Sequence, residues 1–75
     1  MLLTDIHVGE KVRITNMERM NKLVLRRLLD LGIMEGSNIK IKRILPLGGP
    51  IAIETKGQLI GIRRNEAKMI RVESL

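Results

Sequence analysis

The only histidine, His7, stands two residues after Asp5. On an extended chain a D-x-H spacing puts both groups on one side, which could begin a metal site. A bound metal ion needs three or more donors in a fixed geometry. This chain has no second histidine and no cysteine, so no metal site and no cofactor are expected. The 8 Asp and Glu residues are scattered and mostly lie beside basic residues. None forms the carboxylate pair with separated pKa values that general acid–base chemistry requires. Ser37 and Ser74 have no neighbouring base. Gly48–Gly49 lacks the Lys-Ser/Thr that completes a phosphate-binding loop. No catalytic residue is assigned, and an enzyme is not expected.

The elements that would position these groups are legible from periodicity. In "HVGEKVRIT" a turn at Gly9–Glu10 is followed by Val12 and Ile14 alternating with Lys11 and Arg13, the mark of a half-buried strand. In "ERMNKLVLRRLLDL" the period changes. Met20, Val24, Leu28 and Leu31 recur at helical spacing, while Lys22, Arg26 and Asp30 share another face on which Arg26 and Asp30 can pair. This predicts an amphipathic helix of about three turns. The segment "LGIMEG" then reads as a joint. Gly32 supplies the left-handed residue that ends a helix, and Ile33 packs back on the last turn. Gly36 turns the chain into "SNIKIKRIL", where Ile39 and Ile41 point inward, opposite Lys40 and Lys42. The alternation breaks at Arg43–Ile44, where a bulge or bend is expected.

"LPLGGP" reads as a loop. Strands through Ile51 and Ile53 and through Ile60 and Ile62 flank the tight turn "KGQ", giving a hairpin. Asn65 is expected to cap one helical turn, "NEAKM", with Glu66 near its positive end. "IRVES" is the last strand, with Ile70 and Val72 inward. Five short strands with little room for crossovers should be antiparallel, which leads to a mainly β fold. The expected form is a small SH3-like barrel with one inserted α-helix, forming one domain over residues 1–75.

The chain has 75 residues, no Phe, Trp or Tyr, and a net charge of +6. Its core must be Ile, Leu, Val and Met. No segment approaches the roughly 20 apolar residues that span a bilayer, and the N-terminus has no basic region ahead of its apolar residues and carries Asp5 early. The expected location is the cytoplasm. The positive charge favours an acidic partner. Lys11, Arg13, Lys40, Lys42, Arg63 and Arg71 accumulate on outward strand positions, where they form either a solvated wall or a nucleic-acid footprint. The absence of aromatic residues disfavours single-strand binding, which uses base stacking. Leu23, Leu25 and Leu29 fall outside the helix stripe and widen its apolar arc. That arc is either covered by the barrel, residues 33–34 and the N-terminal Leu2–Leu3 or offered to a partner.

In order and spacing, four segments resemble the ferrous iron transport protein A (FeoA) family. They are Gly9-x-x-Val12-x-Ile14, "RRLLDLGIMEGSNIKI", "LPLGGPIAIETKG" and "IGIRRNEAKMIRV", and together they cover nearly the whole chain. The resemblance implies an SH3-like cytosolic protein that assists ferrous iron uptake. It would bind the cytoplasmic G-protein portion of the membrane transporter FeoB, reach the inner membrane only through that partner, and take no small-molecule substrate. A detached module resembling the C-terminal domains of metal-dependent repressors, a nucleic-acid-binding barrel and a weak homo-oligomer are the alternatives. Gly9, Gly32, Gly36, Pro46, Pro50, Glu66 and Ala67 match family positions that look structural. Arg27 and Arg63 are candidates for function or for pairing with Glu66. The partner surface is expected on the helix (Leu23, Arg26, Arg27) and around the loop (Leu47, Gly48, Gly49, Arg63).

Overall fold

The computed structural model describes residues 1–75. A 3-10 turn at Leu3–Asp5 precedes β1 (Lys11–Asn16), α1 (Lys22–Asp30), β2 (Asn38–Ile44), β3 (Ile51–Thr55), β4 (Gln58–Ile62), α2 (Arg64–Ala67) and β5 (Arg71–Ser74). The five strands form one antiparallel sheet in the order β4-β3-β2-β1-β5, a mainly β, SH3-like fold. The first strand is paired on both sides, to β2 and to the last strand. The sheet is open: its end strands β4 and β5 are joined by the segment carrying α2, with no ladder between them.

Alternation sets the inward face. Val12, Ile14, Ile39, Ile41, Ile51, Ile53, Ile60, Ile62 and Val72 are all buried in one core, as expected from their period of two. The irregularity expected at Arg43–Ile44 lies just before it, as a register shift of β2 against β3 between Ile41 and Arg43, and a second shift separates Ile14 from Asn16 on β1 against β5. Such insertions bend a strand and let a short sheet curl. Lys56 and Gly57, both with positive φ, make the two-residue β3–β4 turn. That turn geometry matches the twist of the strands it joins.

Asn21 caps α1, its Oδ1 accepting the Leu23 N–H at 2.7 Å. The helix is shorter than predicted because residues 18–20 precede this cap. At its other end Gly32 has φ +86°. The Gly32 N–H donates to the Leu29 carbonyl and the Ile33 N–H to the Leu28 carbonyl, each at 2.9 Å. This is the paired bonding of a left-handed helix terminus, and Leu28 and Ile33 are both fully buried. Leu31, expected in the inward stripe, is exposed. It is the residue before the chain reverses, so the stripe ends at Leu28 and passes to Ile33. The second helix also begins earlier than expected. Arg63, not Asn65, is its N-cap residue, and the Arg63 N–H donates to Glu66 Oε1 at 3.2 Å.

The N-terminus forms an element that sequence periodicity does not reveal. The Leu3 N–H donates to the Ile70 carbonyl at 2.9 Å, the Val72 N–H donates to the Met1 carbonyl at 2.8 Å, and Leu3 is fully buried. Residues 1–3 therefore cover the outer edge of β5, an edge that would otherwise invite pairing with another chain.

Candidate partner-binding surface

Three elements converge around α2. Arg27, on the last turn of α1, donates from Nη2 to Glu66 Oε1 at 2.7 Å. Glu66 is only 8% exposed, and the Arg27 side chain is 44% exposed. A carboxylate this deep needs donors that hold its charge. It has two, one from each helix region, on a single oxygen. Arg27 thus takes the pairing role of the two expected of it. Ala67 beside it is fully buried, small enough for α2 to lie close to the core.

On the other side of α2, Arg64 holds the loop between β2 and β3. Its Nη2 donates to the Leu45 carbonyl at 3.0 Å and to the Gly49 carbonyl at 3.1 Å, and its Nε to Gly49 at 3.3 Å. The Leu45 N–H donates to the Pro50 carbonyl, and the Gly49 N–H to the Pro46 carbonyl, both at 3.1 Å. Gly49 has no room for a side chain: a Cβ there would lie 2.9 Å from that of Leu45. Leu47, at the loop tip, is fully exposed at 103% and has φ +58°. Few side chains other than glycine and asparagine adopt that region readily. Between loop and α2 lies an open recess of about 510 Å³, lined by Gly48, Pro50, Arg63, Arg64, Asn65 and Lys68.

The helix face is of mixed character. Leu23 is 82% exposed on the first turn. Arg26 pairs with Asp30 at 3.3 Å, as expected from their spacing. Leu25 and Leu29 join Met17 and Met34 in an apolar groove of about 330 Å³ whose remaining lining residues are Glu18 and Glu35. Glu35 is held there, its Oε2 accepting the Met17 N–H at 3.2 Å. The wide apolar arc is therefore only partly covered by the barrel.

Thus the structure joins Arg27, Arg63 and Glu66 through one carboxylate, and it sets Gly48 and Arg63 in one recess. Leu23 and Arg26 lie apart from that recess on α1. Sequence reasoning missed Arg64. The adjacent pair Arg63–Arg64 was visible, but the loop carbonyls that Arg64 binds are distant in sequence.

His7 and Asp5 do not combine. Asp5 Oδ2 accepts the Leu2 N–H at 2.9 Å within its own turn, and His7 Nδ1 lies 3.1 Å from Glu10 Oε1. The His7 backbone N–H donates to the same carboxylate oxygen at 2.8 Å. Chiefly that bond, then the His7 ring, holds the Glu10 pKa below the ordinary carboxylate value. No group of three or more His, Cys, Asp or Glu residues converges as a metal site would.

The FeoA domain model matches residues 1–74. The solution structure of a FeoA protein from Chlorobium tepidum is 39% identical with a TM-score of 0.93, over all of this chain and 70% of that one. A manganese-dependent transcriptional repressor in complex with manganese is 20% identical with a TM-score of 0.91, over all of this chain and 36% of that one, a likeness of fold. A fusion of Fe(2+) transport protein A with the Fe(2+) transporter FeoB, from Porphyromonas gingivalis, is 27% identical over 73 residues. The match takes in 97% of this chain and spans only 8% of that relative's length.

Proposed function

The chain belongs to the FeoA domain family, and from that premise we propose that it is an accessory protein of ferrous iron uptake that binds the cytoplasmic GTPase portion of FeoB. The observation that carries this reading is the fused relative, in which one polypeptide contains both a transport protein A and FeoB. Fusion makes an encounter intramolecular and raises the effective concentration of the two parts, to the millimolar range for a short linker. That advantage exists only if the parts meet. No helix here is long and apolar enough to cross a membrane, so in this reading the chain reaches the transporter by docking on it from the cytoplasm. In this reading the protein acts by recognition and need not hold iron itself.

The test is a calorimetric titration of the chain into the transporter's isolated cytoplasmic portion, with the nucleotide varied between GDP and a non-hydrolysable GTP analogue. Saturable binding that changes with the nucleotide is the expected result. No binding heat over a range of temperatures, with both partners shown to be folded, refutes the reading. Titration of duplex DNA at low salt addresses the alternative. Affinity there would fall with a log–log slope of about −0.9 per phosphate neutralised.

A further inference from the structure

We infer that the partner is engaged by the end of the molecule built from the 45–50 loop and α2, with Leu47 as its apolar anchor and Arg63 and Lys68 as its cations. The surface that fits it is an apolar socket on a protein, rimmed by carboxylates. This rests on the reading that the partner is the transporter's cytoplasmic portion, and it names where and by what chemistry the two meet.

Leu47 is the first argument. It is fully exposed and holds a left-handed backbone conformation, so its side chain adds nothing to the core while its backbone is in a disfavoured region. Strain of this kind persists where the surroundings enforce it and is concentrated at functional sites. The surroundings do enforce it: Arg64 bonds the loop at both ends, through Leu45 and Gly49. A loop held in one shape loses less freedom when a partner closes on it.

Charge is the second argument. Arg13, Arg26, Arg27 and Lys42 each face a carboxylate; Arg63 and Lys68, like most cations of this chain, have none, and these two stand together on one recess. The recess they line contains no acidic residue. The one carboxylate of α2, Glu66, is buried and bonded to Arg27. Two free cations and a guanidinium already committed to carbonyls thus surround a recess whose neighbour, Leu47, is an exposed apolar knob. An apolar contact encircled by opposite charges excludes water from its centre and gains orientation from its rim. The groove beside α1, by contrast, has only Glu18 and Glu35 as charged lining residues, so its charge is of the opposite sign and would repel a carboxylate-rimmed socket. A chain without aromatic residues also has nothing on which to stack bases.

The experiment measures binding of the full chain to the transporter's cytoplasmic portion for wild type, Leu47→Asp, Arg63→Glu/Lys68→Glu and Leu23→Asp. The double variant Lys22→Glu/Lys56→Glu makes the same change of net charge elsewhere. Leu47, Arg63 and Lys68 are exposed, and circular dichroism verifies that each variant is folded. Expected are losses of about tenfold or more in affinity for the Leu47 and Arg63/Lys68 variants, against a change within about twofold for Lys22/Lys56. Equal loss in both charge-reversal variants overturns the inference, because the attraction is then diffuse. Loss on Leu23→Asp with Leu47→Asp unaffected also overturns it, and leaves the proposed partner standing. Failure of the wild type to bind overturns both. If Arg63→Glu/Lys68→Glu abolishes binding to phosphatidylglycerol vesicles but leaves transporter binding intact, the surface is a lipid anchor and the inference fails.

Discussion

Replacing Arg27 with alanine isolates the contact that fastens α2 to α1. Its guanidinium is one of two donors to Glu66 Oε1, at 2.7 Å, and the backbone N–H of Arg63 is the other, at 3.2 Å. The substitution leaves a carboxylate that is 8% exposed with a single, longer bond. Removing one member of a fully buried pair costs about 3–5 kcal/mol. Here the arginine side chain is 44% exposed, so water can reach the vacated place, and the cost falls toward that of one charge-assisted hydrogen bond, roughly 2 kcal/mol. In a domain of this size each kcal/mol moves the melting temperature by roughly 4–8 °C. The expected drop is therefore about 8–16 °C. With no Trp, Tyr or Phe the transition has to be followed by far-ultraviolet circular dichroism or calorimetry. Glu66→Gln keeps an acceptor for both donors and removes only the charge, so its loss is smaller than that of Arg27→Ala. Glu66→Ala combined with Arg27→Ala closes a double-mutant cycle. A sum of single effects matching the double variant within about 0.5 kcal/mol means the pair is not coupled, and Arg27 then does not hold the Glu66 charge.

Three further outcomes are expected. Gly32→Ala costs about 1–2 kcal/mol in thermal or urea unfolding, because φ is +86° and a Cβ there touches nothing, so the penalty is conformational; a neutral result removes Gly32 as the required helix terminator. Leu47→Asn raises the melting temperature by a few degrees, worth up to about 1 kcal/mol, because asparagine accepts the left-handed region more readily; a drop shows that Leu47 supports the fold. Glu10 has a lowered pKa in the folded state, so its contribution is present near neutral pH and is lost as pH falls through that depressed value. The difference in melting temperature between wild type and Glu10→Gln should therefore close on acidification, and a gap that persists to about pH 2 contradicts the assignment.

The curled five-stranded sheet is legible because most of its strand positions alternate, whereas its open edge between β4 and β5 is not. Each inward pair from Val12–Ile14 to Ile60–Ile62 is assigned from period two alone; the same pattern puts the break in β2 at Arg43–Ile44, and the register shift lies just before it, between Ile41 and Arg43. The helix end was legible because glycine followed by an apolar residue has a specific backbone use. What escaped depends on partners distant in sequence. Leu3 lies in a segment too short for any periodicity, and it is fastened by the carbonyl of Ile70. Leu31 continued the helical spacing but fell at the cap, where spacing no longer determines direction. Arg64 resembled any surface arginine until the carbonyls of Leu45 and Gly49 were seen beside it. The spacing of Arg27 allows either pairing or function, and only the 2.7 Å bond to Glu66 decides between them.

The placement of the first strand between β2 and β5 has a consequence for how the molecule is made. Ile14 pairs with Val72 on the neighbouring strand, so a growing chain on the ribosome holds an unfinished strand margin until β5 emerges. Folding is then limited by closing a long loop, which is slow compared with forming a helix or a hairpin. Until that closure one edge of β1 stays unpaired and Leu3 lacks the Ile70 carbonyl it bonds, which leaves the growing chain open to association with its own copies.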